Sequence, residues 1–138
     1  MADTGYRSIE VIVINDTRSD LSIQGAGDPT SGTWVDGEKP TDGTIIPQYA
    51  KKKFGVKTDD QKSAAEASFL LTGRGSLEVD FFNTAGGNAD VTFTTPVAAE
   101  GKDLGIQGTK SQADTSEENH PVFVIQITPT VAKGAVTA

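Results

Sequence analysis

The 138-residue chain contains no cysteine, one histidine, one tryptophan and one methionine. Without cysteine there is no disulfide, no thiol nucleophile and no thiolate metal site, so the fold must stand on its apolar core alone. The lone His120, followed directly by Pro121, excludes zinc sites built from several imidazoles. No apolar run approaches the roughly 20 residues that a membrane-spanning helix needs. The N-terminal MADTGYRS also lacks the apolar segment of a signal peptide. Base is scarcer than acid: 12 Lys and Arg against 19 Asp and Glu give a formal charge of −7 and disfavour a nucleic-acid partner. Helical periodicity is almost missing as well.

What is present is alternation. In Ser76 to Thr95, SLEVDFFNTAGGNADVTFTT, Leu77, Val79 and Phe81 alternate with Glu78 and Asp80, and the beat resumes with Val91 and Phe93. This predicts a β-hairpin. A two-residue Gly86-Gly87 turn would set Phe93 opposite Asp80, whereas a three-residue loop, Ala85 to Gly87, pairs Phe81 with Val91 and Val79 with Phe93. The second choice keeps the apolar residues on one face and puts Gly87 in the left-handed region, where a missing Cβ removes the steric penalty.

Along the rest of the chain, Ser8 to Ile14 (SIEVIVI) is apolar on both faces and predicts a central strand covered on both sides for part of its length. Short strands are expected at Leu21 to Ile23, Thr33 to Val35, Thr44 to Ile46, Tyr49 to Lys57 and Ser68 to Thr72. PVFVIQITP, from Pro121, forms the last. Loops with Gly, Pro, Asn and Asp separate them. Thr58 to Ala67 (TDDQKSAAEA) is the one candidate for a helical turn, with Asp59 or Asp60 as cap. Val97 to Asn119 is polar and Gly-rich, anchored only by Leu104 and Ile106, and reads as a long loop. Eight to ten short strands in one domain, with a core over about residues 7–128, predict an all-β antiparallel sandwich or closed barrel.

No segment carries a catalytic motif. There is no Gly-x-Ser-x-Gly elbow, and nothing places an acid behind His120, so no triad is specified and the protein is expected not to be an enzyme. Glu78 and Asp80 form a carboxylate pair, but on the solvent side of one strand. Acids cluster in loops at Asp28, Asp36, Glu38 and Asp42 and at Asp59 and Asp60, which makes Asp36 and Asp42 candidates for calcium; no EF-hand spacing occurs, and no cofactor is expected. Asn15-Asp16-Thr17 is a formal glycosylation sequon. For binding, the candidates are aromatic and basic. Trp34 lies between two loops, Phe82 is out of phase with Phe81 and faces outward, and Tyr49 precedes the run Lys51, Lys52 and Lys53. An aromatic beside lysines suits a lipid headgroup or a sugar; a lysine run also guards a strand edge against pairing.

The N-terminal SIEVIVIN, the GTWVDGE turn and the alternating strands between Ser8 and Thr95 resemble the aegerolysins, small acidic cytolysin-like sandwiches of fungi. That resemblance implies membrane-lipid binding, in some members with pore assembly beside a partner protein. In size, acidity and lack of cysteine the chain is also similar to small fungal protein elicitors that induce the hypersensitive response of plants. That likeness implies secretion and action on a host cell-surface receptor. The expectation is thus a non-catalytic, secreted recognition protein, an elicitor first and a lipid binder second, with export in mature form or by another route and a cytoplasmic location left open.

Overall fold

The computed structural model describes residues 5–73, 75–94, 105–114 and 119–129. Ten strands fill it: β1 (Arg7–Asn15), β2 (Leu21–Gln24), β3 (Thr33–Trp34), β4 (Ile45–Ile46), β5 (Lys51–Thr58), β6 (Ala65–Thr72), β7 (Ser76–Asn83), β8 (Ala89–Thr94), β9 (Ile106–Asp114) and β10 (Val122–Pro129). They form two five-stranded sheets, ordered β3-β5-β1-β10-β9 and β4-β2-β6-β7-β8, with no helix among the described residues. The sheets do not close on each other, so of the two expected architectures the sandwich is the one formed. Pairing is antiparallel except between β1 and β10, which run parallel.

The core follows from the alternation. Ile9, Val11 and Val13 of β1 and Ile125 and Ile127 of β10 are fully buried against Leu21, Ile23, Leu71, Val79 and Val91 of the facing sheet. Burying each such side chain contributes roughly 1.5–3 kcal/mol. An aromatic chain crosses the centre: Phe54 and Phe69 at 5.1 Å between ring centroids, Phe69 and Phe81 at 5.7 Å edge to face. β1 is central, as its two apolar faces require. Its outer face is covered only at the Ser8 and Glu10 end, while Ile12 and Ile14 are half-buried.

The hairpin has the expected register, with Phe81 opposite Val91 and Val79 opposite Phe93. Thr84 and Asn88 close it through Thr84 N donating to Asn88 O at 2.8 Å, and Gly87, at φ 88°, completes the three-residue loop.

Two expectations are corrected. The candidate helix at Thr58 to Ala67 is instead the end of β5, a turn and the start of β6. Asp60 accepts from Lys62 N and Ser63 Oγ, both at 2.9 Å, which makes one turn, and Ala65 and Ala67 are then buried facing the core. The alanines answer to burial rather than helix propensity. The long loop at Val97 to Asn119 contains β9. Its inward positions are Ile106, Gly108 and Lys110; a Cβ on Gly108 would lie 2.5–2.8 Å from three atoms of the Phe93 ring, and Lys110 bonds Asp90 and the Val91 carbonyl across the sandwich edge. A phenyl ring from the other sheet thus replaces the side chain that would have shown the alternation. Leu104 lies outside the described residues.

Candidate functional site

Of the three large apolar side chains exposed among the described residues, Ile45 and Tyr49 lie where β4 passes to β5, and Tyr6 lies before β1 at the other end, beside Thr58. Pro47 has no N–H to continue β4, and Ala50 N donates to Pro47 O at 3.0 Å to close a four-residue turn. Its third residue, Tyr49, has φ 65° and is the one described non-glycine residue in the left-handed region. Glycine or asparagine normally takes that place, and a tyrosine there costs about 1–2 kcal/mol. The conformation is imposed from β1: Tyr49 N donates to Asn15 O at 2.7 Å, and Asn15 N donates to Ala50 O at 2.9 Å. The Tyr49 side chain is left 71% exposed, and Ile45, two residues before Pro47, is 50% exposed. Lys51, Lys52 and Lys53 follow at once, all exposed, along a β5 edge that β3 joins only at Val56 and Lys57. An aromatic, an isoleucine, a proline and three ammonium groups therefore share one end of the sandwich.

The buried Asn15 fixes this turn. Its Nδ2 donates to Ile46 O at 2.8 Å and to Ser19 O at 2.9 Å, while its Oδ1 accepts from Thr17 N and Thr17 Oγ1. The sequon is accordingly a structural motif: every polar atom of the Asn15 side chain is committed, and Asn15 is 0% exposed.

The other sequence candidates lie elsewhere. Trp34 is half-buried on the inner side of the sandwich, its ring 6.3 Å from that of Phe81 and its Nε1 donating to Gly27 O at 3.2 Å. It sits level with Val56, five residues along β5 from Lys51, roughly 17 Å away. Phe82 is half-buried on the outer face of the second sheet, between Glu66 and Asp90. Glu78 and Asp80 share that face, opposite Leu70 and Ser68; burial pushes the Asp80 carboxyl up, against the hydrogen bond from Ser68. Asp36 is exposed, and Asp42 accepts the Ala26 amide at 2.9 Å. Among the described residues no three metal-ligating side chains converge.

Three arrangements were not legible in the sequence. Gly55 of β5 pairs with Glu10, and over the space a Cβ would fill the Glu38 side chain reaches Glu10: that Cβ would overlap Glu38 Oε1 and lie 2.8 Å from Glu10 Cγ. Burial, then the hydrogen bond to Glu10 and its charge, push the Glu38 carboxyl up to about 7, with Lys53 pulling the other way. Lys53 Nζ is 3.1 Å from Glu10 Oε2. Arg7 is buried and donates to Ser63 O, Gln61 O at 3.2 Å and Ala85 O at 3.4 Å, tying two loops at the far end. Finally, Ser8 Oγ and His120 Nδ1 are 2.8 Å apart. Ser8 is fully buried, so this pair joins β1 to the start of β10 and offers no oxygen to a substrate.

Comparison with protein-family models finds no match, and comparison with curated protein sequences finds none either. Among solved structures, this chain is similar to the crystal structure of RahU protein in complex with a Tris molecule, with a TM-score of 0.65 at 12% identity over 93% of this chain and 98% of that one. The fold is aegerolysin-like.

Proposed function

We propose that the protein is a non-catalytic recognition module that docks on a lipid surface through the β4–β5 turn. Tyr49 and Ile45 enter the interfacial layer, and Lys51 and Lys52 meet headgroup phosphates, while Lys53 is held by Glu10. One observation carries the reading: a tyrosine held 71% exposed in a left-handed conformation that β1 enforces. Backbone strain of this kind persists where the surroundings over-determine it, and it concentrates at functional positions. A tyrosine suits the headgroup layer because its ring is apolar and its hydroxyl wet. The aegerolysin-like fold and the lipid binding implied by the sequence resemblance support the same reading. The buried Ser8 beside His120 favours a non-catalytic protein.

Sedimentation with vesicles of phosphatidylcholine, phosphatidylserine and sphingomyelin, with and without sterol, tests it. Tyr49→Ala is expected to weaken binding roughly tenfold, and each of Lys51→Glu and Lys52→Glu several-fold on anionic vesicles at low salt. Wild-type protein that stays in the supernatant across the panel, or binding indifferent to Tyr49→Ala, overturns the assignment. Secretion and elicitation of plant cell death are the finer form of this reading, resting on size, acidity and the missing cysteine. Infiltration of purified protein into leaves decides that part, and no necrosis at micromolar dose removes it.

A further inference from the structure

A cavity of about 150 Å³ opens at the same end of the sandwich as the Tyr49 turn, on the other flank of β1. At Asn15, where β1 ends, the Tyr49 amide is bound on the β5 side; on the β10 side Asp16 N donates to Ile127 O at 2.8 Å. The cavity is lined by Thr17, Arg18 and Ser19 of the loop after β1 and by Gly105, Ile106 and Pro129, where β9 begins beside the end of β10. Gly75, in the turn between β6 and β7, packs backbone to backbone on Gly105; a Cβ on Gly75 would lie 2.6 Å from Gly105 Cα.

Asn15 shapes this loop as it does the tyrosine. Its Nδ2 holds the Ser19 carbonyl, and its Oδ1 holds the Thr17 amide and hydroxyl, so Thr17 is buried while Arg18 is left exposed between two pinned neighbours. Among the described residues neither the Arg18 guanidinium nor the Ser19 hydroxyl has a hydrogen-bond or ion-pair partner. The carboxylates two positions to either side do not line the cavity, and Asp16 Oδ2 instead accepts from Gln126 Nε2 at 2.9 Å. One wall therefore offers the planar donors of an arginine and a hydroxyl, the other offers Ile106 and Pro129, and no carboxylate is present to hold a cation. Guanidinium donors match an oxyanion in geometry as well as charge. A cavity of this volume holds a group about the size of benzene, the size of a phosphate with its first ester carbons. We infer that the cavity takes a phosphate ester, with its oxygens on Arg18 and Ser19 Oγ and its ester carbons against Ile106 and Pro129. With Tyr49, Lys51 and Lys52 at the same end, the source is a phospholipid headgroup. That last step alone rests on the lipid-docking reading, since a free phosphate ester would make the same contacts.

Titration of isotope-labelled protein with glycerol phosphate, followed by amide chemical shifts, tests the cavity without a membrane. Shifts are expected to concentrate at residues 17–19 and 105–106 and to saturate in the millimolar range. Arg18→Ala should weaken binding about tenfold or more. Arg18→Lys, which keeps the charge and loses the fork, should weaken it several-fold, and Lys62→Ala at the far end should leave it unchanged. Shifts that are absent at these residues, that follow Lys51 and Lys52 instead, or that survive Arg18→Ala overturn the assignment. Sedimentation of Arg18→Ala with phosphatidylcholine vesicles then identifies the source. A several-fold fall supports the headgroup, and unchanged binding overturns it in favour of a free ester. Wild-type protein that binds glycerol phosphate but no vesicle overturns the lipid-docking reading while the phosphate-ester site stands.

Discussion

Glu38→Gln separates the proton on the Glu38 carboxyl from the packing around it. The folded protein holds this carboxyl up at about 7, while its ordinary value is 4.5. Between those values the native state keeps a proton that the unfolded chain releases, so stability is fully present below about pH 4.5 and is lost as pH rises through about 7. Each pH unit in that interval is worth about 1.4 kcal/mol, which sets a ceiling of roughly 3 kcal/mol. Solvent reaches the site and Lys53 can turn from Glu10 toward Glu38, so about 1–2 kcal/mol is expected. For a domain of this size that is roughly 3–8 °C in Tm. The groups facing Glu38 are Glu10 of β1 and Lys53 of β5, with the backbone of Gly55 between. Glutamine can donate to Glu10 as the protonated acid does and has no charge to lose. Thermal unfolding followed by circular dichroism from pH 5 to pH 8 should show wild-type Tm falling and Glu38→Gln nearly level, with the curves close at pH 5 and the variant ahead at pH 8. A gap between them that is constant with pH, or one that favours the wild type at pH 8, refutes the shared proton.

Tyr49→Gly relieves the left-handed strain and should raise stability by about 0.5–1 kcal/mol in denaturant titration while lowering vesicle binding, a stability gain set against function. Gly108→Val drives a branched side chain into the Phe93 ring and should cost about 2–3 kcal/mol, with faster amide exchange along β9 as the local sign. Asn15→Ala leaves the Ile46 and Ser19 carbonyls without their donor and should cost about 2–3 kcal/mol by chemical unfolding. For the same reason, intact mass after expression in a glycosylating host should show no glycan on folded wild-type protein.

Sequence alternation was informative wherever one strand face met the core through its own side chains. Val79, Phe81, Val91 and Phe93 fix the hairpin register by their phase, and the tight loop at Gly87 follows from it. The same logic failed at β9, where Gly108 faces inward because Phe93 occupies its place from the other sheet. A local pattern cannot report a side chain lent from elsewhere. It failed at Ala65 and Ala67 for a related reason: small residues are good helix formers in isolation, and here burial in a sheet decides.

The candidate site divides along the same line. Tyr49 and the three lysines were legible, since an aromatic next to a basic run is a local feature. Ile45 was hidden because the short β4 at the sheet edge turns outward what reads as a core residue. Trp34, the conspicuous aromatic by composition, contacts Phe81 on the inner side and does not join Tyr49. What makes Tyr49 special is not its type but its φ angle, and that angle is set by Asn15, thirty-four positions away, whose backbone carbonyl takes the Tyr49 amide. The spacing of Asn15 to Thr17 makes a formal sequon; the fold uses that spacing to lock the Asn15 carboxamide, and the locked asparagine in turn presents the tyrosine. The sequon and the exposed ring are two ends of one hydrogen-bonded unit. Disturbing either end is therefore expected to change stability and, under the lipid-docking proposal, vesicle binding as well.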